Sequence, residues 1–109
     1  MKWKISYSPE AENDLDEIYS YIAYDLKAPK TAAHKVERIM SEIEKLDNMP
    51  MKFKVYDFEP WQSQQLRCFS VESYIVFYLI SEETQDVYIT RIIYGRRDLN
   101  EQLENSDDL

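Results

Sequence analysis

The sequence predicts a single α+β domain in which a hairpin of two helices packs on one face of a small antiparallel sheet. Three observations carry this prediction: a period-two stretch at residues 2–7, two amphipathic stripes between residues 9 and 46, and alternating strands between residues 66 and 93. The predicted element order is β-α-α-β-β-β, or β-α-α-β-β-β-β with a further short strand near residues 52–56. A chain of 109 residues, 44% of them hydrophobic, is long enough for one continuous core and too short for two.

The N-terminal segment is predicted to form a strand that leads into a capped helix. Residues 2–7 place Trp3, Ile5 and Tyr7 on one side and polar residues on the other, which is typical of a half-buried strand. Ser8 suits the N-cap of the following helix, and Pro9 suits its first position because proline has no N–H to leave unbonded. This helix is predicted to reach about residue 25, and a second helix to run from near residue 29 to residue 46.

Four carboxylates cluster on the first two turns of the first helix: Glu12, Asp14, Asp16 and Glu17. General acid/base catalysis requires a pocket and a partner group, and the sequence indicates neither here. Acidic side chains near a helix N-terminus are stabilised by the helix dipole. We therefore predict that these carboxylates form a solvated helix face.

The C-terminal half of the chain alternates like an antiparallel meander. Strands are predicted over residues 66–71, 74–81 and 87–93, joined by short polar links. Because the helical hairpin covers one face of the sheet, the other face is predicted to be more open and to carry the function. The domain is predicted to span residues 1–103, and residues 104–109 are too polar to pack and are predicted to form a frayed acidic tail.

Composition restricts the classes of partner. A net charge of −8 disfavours binding along a phosphate backbone over a broad face, because such binding needs many cations in register. No apolar run approaches the roughly 20 residues that cross a bilayer, so a cytoplasmic protein without membrane contact is predicted. With Cys68 and His34 as the only residues of their types, neither a disulfide nor a metal site is predicted, and no cofactor is expected.

Positive charge is concentrated in residues 91–98 of this acidic chain. The segment holds the only glycine, Gly95, and three of the five arginines. A β-branched strand that leads into a lone glycine predicts a turn with positive φ, which would fix Arg96 and Arg97 at a sheet edge. Arg91 lies within the strand itself, and we predict that it is scaffolding rather than a direct target contact, either in a buried ion pair or with its stem lying across the sheet.

Three segments of the chain carry motifs that recur in a fixed order. They are residues 7–22, which begin Tyr-Ser-Pro-Glu-Ala, residues 66–78, and residues 87–98, which include Tyr-Gly-Arg-Arg-Asp. Together with the predicted element order, they resemble the RelE/ParE superfamily of toxins from type II toxin-antitoxin systems over about residues 3–103. The resemblance implies a protein that arrests bacterial growth until a cognate antitoxin, encoded beside it, wraps over its surface.

Within this superfamily, RelE-like toxins cleave messenger RNA on the ribosome with basic residues and often a tyrosine. By resemblance, Arg67 and Arg97 fall on basic positions of that site and would be its catalytic residues here. However, Phe69 and Ile75 stand where a lysine and an arginine are expected. Leu103 stands where the tyrosine would be, so the nuclease site is incomplete in this sequence.

ParE-like toxins instead inhibit DNA gyrase by binding, and the motifs of this chain resemble that branch more closely. The preferred prediction is a non-enzymatic gyrase inhibitor whose target-binding residues are Arg67, Tyr74, Arg96 and Arg97. A ribosome-dependent endoribonuclease is the alternative. A degenerate, non-toxic protein that only binds an antitoxin is a third hypothesis, because toxins of both branches are commonly basic and this chain is acidic.

Overall fold

The chain folds into a four-stranded sheet with a helical hairpin on one face, as the computed structural model of residues 2–106 shows. The elements in chain order are β1 (Lys4–Tyr7), α1 (Pro9–Ser20), α2 (Pro29–Glu44), β2 (Arg67–Val71), β3 (Tyr74–Ser81), β4 (Asp86–Tyr94) and α3 (Leu99–Glu104). The α+β class and the helical hairpin are confirmed. The predicted acidic tail begins inside the last turn of α3, and its residues 107–109 lie outside the described part of the chain.

The strand order in the sheet is β1-β4-β3-β2, so the first strand pairs with the last. β2, β3 and β4 form the antiparallel meander, whereas β1 runs parallel to β4, from the pair Lys4 and Asp86 to the pair Tyr7 and Ile89. The sheet is therefore mixed rather than purely antiparallel. Period-two alternation in a sequence indicates which side chains a strand buries, but it carries no information on the direction of the neighbouring strand.

The start of α1 is fixed by the cap that the sequence predicts. The Ser8 hydroxyl accepts a hydrogen bond from the Ala11 N–H at 2.9 Å, and Pro9 occupies the first turn. The same hydroxyl donates to the Thr90 carbonyl of β4 at 2.8 Å. One buried serine thus starts the helix and joins it to the last strand. A π-helical turn, Tyr21–Asp25, completes this helical segment at the predicted end.

The short strand predicted near residues 52–56 is reduced to a single bridge between Val55 and Arg67. Met49 adopts a left-handed conformation with φ of 58°, and Pro50 then begins a 3₁₀ turn that ends at Lys52. After this reversal only residues 54–56 run beside the start of β2, where the Tyr56 N–H donates to the Leu66 carbonyl at 2.7 Å and the Cys68 N–H donates to the Lys54 carbonyl at 3.2 Å. The prediction was wrong because sequence alternation is blind to such a reversal.

The sheet separates two apolar cores. The first lies under the helical hairpin and includes Ile39, Ile43 and Tyr78. The second lies on the opposite face, where the loop before β2 and helix α3 contribute Trp61 and Leu103. The prediction of an open second face was therefore wrong, because the sheet residues on that face are apolar and are covered by these two segments.

Gly95 is needed for close packing rather than for its conformational freedom. No glycine has positive φ in residues 2–106, so the predicted left-handed turn is wrong. The Gly95 N–H donates to the Ser73 carbonyl at 2.8 Å, and a β-carbon at position 95 would lie 3.2 Å from that same oxygen. The absence of a side chain lets the end of β4 approach the start of β3.

Candidate functional site

A buried ion pair joins α1 to β4. The Arg91 guanidinium donates to both carboxylate oxygens of Asp14, from Nε to Oδ2 at 2.8 Å and from Nη2 to Oδ1 at 3.0 Å. The two side chains are 13% and 8% exposed. These hydrogen bonds raise the pKa of Arg91 above its ordinary value. Of the two arrangements predicted for Arg91, a buried ion pair or a stem lying across the sheet, the structure shows the ion pair.

Asp14 also completes the hydrogen bonding of the sheet edge. β1 stops pairing after Tyr7, and beyond that point the Ile92 N–H of β4 donates to Asp14 Oδ2 at 2.8 Å. The prediction that Asp14 belongs to a solvated face was therefore wrong. Its position three residues after Ala11 and four before Ile18 places it on the buried stripe of the helix, a signal that the sequence already contained.

Arg91 holds the C-terminal helix as well as Asp14. Its Nη1 donates to the Gln102 carbonyl at 3.1 Å and to the Ser106 hydroxyl at 2.6 Å. At the other end of α3, the Asp98 carboxylate accepts from the Glu101 N–H at 3.1 Å and caps the helix. These bonds, with burial of Leu103, fix the turn that carries residues 95–97.

An irregularity in β4 sets the direction of Arg91. Phe77 pairs with Arg91 and Tyr78 pairs with Ile89, so Thr90 is an extra residue opposite this junction. As a result, Ile89 contributes to the first core and Ile93 to the second, although both have odd numbers. This bulge turns the Arg91 side chain toward α3.

These contacts form one wall of a cleft of about 730 Å³ that lies between α1, the end of β4 and α3. Three tyrosines and two arginines are the largest side chains that line it: Tyr21, Tyr74, Tyr94, Arg91 and Arg97. The rings of Tyr74 and Tyr94 lie 5.8 Å apart between centroids and are tilted by 59°. Burial raises the pKa of Tyr74, and the neighbouring Tyr94 and Tyr21 add to the shift.

The structure brings together only some of the predicted target-binding residues. Tyr74 and Arg97 both line the cleft, and Arg96 is exposed on the same turn as Arg97. Arg67 lies elsewhere: it pairs with Tyr78, four residues along β3 from Tyr74, which is about 13 Å at the rise of a strand. The roles assigned to these four residues stay predictions.

The Arg67 guanidinium is engaged by the main chain. Its Nη1 donates to the Met51 carbonyl at 3.1 Å and also to the Phe53 carbonyl. These bonds tie the loop before β2 to the strand. Arg67 therefore has a structural task that is independent of any target.

Apolar side chains occupy the positions where a RelE-like ribonuclease would need polar groups. Phe69 is buried and stacks on Phe53, with centroids 4.6 Å apart and planes tilted by 14°. Leu103 is 1% exposed in the second core, and Ile75 packs against the same core. None of these three side chains offers a proton donor, a base or a charge.

Sequence reasoning missed the other residues of the cleft wall. Glu10, Glu17 and Tyr21 line the cleft from the first helical segment. Their spacing, with Asp14 between them, follows the three- and four-residue intervals of one helix face. The periodicity alone predicts that they share a face, but only the tertiary structure places Tyr74 and Arg97 opposite that face.

The described residues do not favour nucleophilic catalysis by Cys68. Burial raises the pKa of the Cys68 thiol, which disfavours the nucleophilic thiolate. Residues 2–106 contain no group of histidine, cysteine and carboxylate side chains arranged to hold a metal ion. Within the same residues, no helix is long and apolar enough to cross a membrane.

The sequence matches the family model of the ParE toxin of the type II toxin-antitoxin system parDE over residues 5–99. This chain belongs to the ParE toxin family. It is thus a toxin of the RelE/ParE superfamily, as the sequence motifs predict. No curated protein sequence is significantly similar to this ParE-family chain.

Solved structures share the fold of this ParE-family chain at low sequence identity. A structure of the chromosomal ParDE system from P. aeruginosa superimposes with a TM-score of 0.70 and 20% identity, over 85% of this chain and 96% of that one. The RelBE2 complex of Mycobacterium tuberculosis gives 0.60 and 18%, over 86% and 99%. A free E. coli RelE mutant gives 0.65 and 11%, over 99% and 97%.

Proposed function

We propose that this ParE-family toxin arrests bacterial growth by binding DNA gyrase without cutting nucleic acid, and that a cognate antitoxin neutralises it. Membership of the ParE family over residues 5–99 supports the gyrase target. The contact surface is the end of the sheet that carries Tyr74, Arg96 and Arg97. Arg67 contributes by holding the loop before β2 in place.

The observation that carries the proposal is the packing of Leu103 and Phe69 in the two cores. Cleavage of RNA next to a 2′-hydroxyl needs a base and cationic groups aimed at the phosphate. Here those positions hold a leucine that is 1% exposed and a phenylalanine that is 9% exposed. A net charge of −8 opposes approach to a ribosome far more than it opposes approach to a protein surface.

Growth arrest is tested by inducing the chain from a tightly controlled promoter in a host that lacks the antitoxin. The wild-type chain is expected to stop growth, and Arg97→Ala to restore it. Arg38→Ala is the matched control, since Arg38 is an exposed arginine on α2, away from the cleft. Normal growth with folded wild-type protein present would reject toxicity and favour a degenerate antitoxin-binding protein.

The target is tested with purified components. The wild-type chain is expected to inhibit supercoiling of relaxed plasmid by gyrase, with Arg97→Ala weaker than Arg38→Ala. Supercoiling that continues at saturating toxin would reject the gyrase target. Mapping of transcript ends after induction serves as the second measurement, because codon-linked cuts would establish the ribonuclease alternative.

Neutralisation by an antitoxin is tested with the protein that the neighbouring reading frame encodes. Co-expression of this protein is expected to restore growth and to yield a complex that survives gel filtration. Co-expression that leaves growth arrested, with both proteins folded, would contradict this assignment.

A further inference from the structure

The gyrase hypothesis does not account for the cleft between α1 and the end of β4. Its volume of about 730 Å³ falls in the range of about 300–1,000 Å³ that is typical of ligand sites. Two of its tyrosines are well exposed for aromatic side chains, Tyr21 at 55% and Tyr94 at 39%. Exposed rings in a concave site are characteristic of the central contacts of protein interfaces.

The α1 side of this cleft is acidic. Three carboxylates line it, those of Glu10, Asp14 and Glu17, and two guanidinium groups, those of Arg91 and Arg97, line the same cleft. Asp14 accepts two hydrogen bonds from Arg91, and Glu10 Oε2 lies 3.8 Å from Arg91 Nη1. Three carboxylates against two guanidinium groups leave the lining of the cleft with an excess of one negative charge.

Glu17 is the carboxylate best placed to receive a further cation. It is exposed, and its Oε1 accepts one long hydrogen bond of 3.2 Å from the Asn13 amide. Tyr21, one helical turn further on, presents its ring beside it on the same helix face. Arg97, the second guanidinium of the cleft, comes from the turn after β4 and not from the helix.

We infer that this cleft binds an arginine or lysine side chain of the antitoxin, with the cation near Glu17 and against the rings of Tyr21, Tyr74 and Tyr94. A cation over a tyrosine face is stabilised by the ring quadrupole, and a neighbouring carboxylate adds to this attraction. Charge complementarity selects the occupant, because a chain of net charge −8 attracts a basic segment and repels a phosphate.

This inference rests on the proposed function for the identity of the partner, and it explains how neutralisation works. Tyr74 and Arg97 line the cleft and also belong to the proposed gyrase contact. A basic side chain seated there brings the antitoxin backbone over both residues. The antitoxin then excludes the target by occupying the same surface.

The chemistry of the cleft is tested by NMR with N-acetyl-arginine amide as the probe. Titration into the labelled wild-type chain is expected to shift the signals of Tyr21, Tyr74 and Tyr94. Glu17→Gln is expected to weaken the apparent affinity about two- to five-fold, the range that cation–π and exposed ionic contacts produce. Glu12→Gln is the matched control, an exposed glutamate of α1 outside the cleft, and should leave the affinity unchanged.

Two probes define the results that would overturn the inference. Equal shifts with N-acetyl-glutamine amide would show that charge plays no part, and preferential shifts with uridine monophosphate would assign the cleft to a nucleic acid. The absence of any shift with the arginine probe would also reject it. Gyrase inhibition by the wild-type chain is measured separately, so the cleft and the proposed function can fail independently.

The antitoxin itself provides the second readout. Binding of the wild-type toxin to the protein encoded by the neighbouring reading frame is expected to weaken as the salt concentration rises. Glu17→Gln is expected to reduce both the affinity and its salt dependence. Glu12→Gln should match the wild type. An affinity that Glu17→Gln leaves unchanged would reject the inference even if the antitoxin still neutralises toxicity.

Discussion

Replacement of Asp14 by asparagine should destabilise the fold more than any other single isosteric change on α1. Asp14 accepts three hydrogen bonds, two from Arg91 and one from the Ile92 N–H, at 2.8 to 3.0 Å. Asparagine keeps one acceptor oxygen, but it turns an N–H₂ group toward guanidinium donors and leaves Arg91 with only the Glu10 carboxylate, 3.8 Å away, as a counter-ion. Removal of one partner from a buried ion pair costs about 3–5 kcal/mol.

The residual exposure of the pair, 13% for Arg91 and 8% for Asp14, places the expected loss near the lower limit, at about 3 kcal/mol. With an m-value of about 1–3 kcal/mol/M in urea, the unfolding midpoint should fall by about 1–3 M. Asp16→Asn is the matched control, since Asp16 is exposed on the same helix, and it should change the free energy of unfolding by less than about 0.5 kcal/mol.

The assay is equilibrium urea unfolding followed by tryptophan fluorescence, with Arg91→Gln and the double variant completing a double-mutant cycle. Asp14→Asn should cost much less in the Arg91→Gln background, with a coupling free energy of about 1–3 kcal/mol. If Asp14→Asn destabilises no more than Asp16→Asn, or if the two sites are additive, the ion pair does not hold the sheet edge and the reasoning fails.

Three further predictions concern buried tyrosine hydroxyls and the side chains of Arg67 and Arg97. Tyr78→Phe should lose about 1 kcal/mol of unfolding free energy, because the Tyr78 hydroxyl donates to the buried Pro50 carbonyl at 2.7 Å. Tyr7→Phe should lose nothing, because the Tyr7 hydroxyl has no hydrogen-bond partner among the described residues. Equal losses in the two variants would contradict this prediction. Burial raises the pKa of both phenols from 10.0 to about 12, so the unfolded state releases these protons first and stability should fall as pH rises between those values, less steeply in the Phe variants; a flat wild-type midpoint there would refute it. Arg67→Ala should lose about 1.5–3 kcal/mol in urea unfolding and Arg97→Ala less than about 0.5, since of the two only the Arg67 guanidinium bonds to main-chain carbonyls, those of Met51 and Phe53; the reverse order would show that their structural roles are exchanged.

Local rules predicted the parts of the fold that depend on neighbouring residues. Ser8 and Pro9 define the start of α1, and Pro29 defines the start of α2, because caps and proline act through the adjacent backbone. The alternation of the meander located β3 at its observed bounds, residues 74–81. Each of these features is encoded within a few residues.

Features that depend on residues far apart in the chain could not be predicted from the sequence. The bulge opposite Phe77 and Tyr78 moves Ile93 to the second core, and no local sequence pattern indicates this bulge. The partner of Arg91 lies 77 positions away, at Asp14, so the ion pair was predicted without its carboxylate. The cleft was missed for the same reason, since its aromatic walls come from α1 and from both central strands.

The pairing of β1 with β4 determines when during synthesis this toxin completes its fold. Ser8 bonds to Thr90, 82 positions later, so the first strand has no neighbour in the sheet until β4 has been synthesised. At roughly 5–20 residues per second, that wait is about 4–16 s. The contacts of the helical hairpin are local and are available in the meantime, whereas the turn that carries Arg97 follows β4. The surface that carries Tyr74 and Arg97 is therefore incomplete until β4 and this turn have been synthesised.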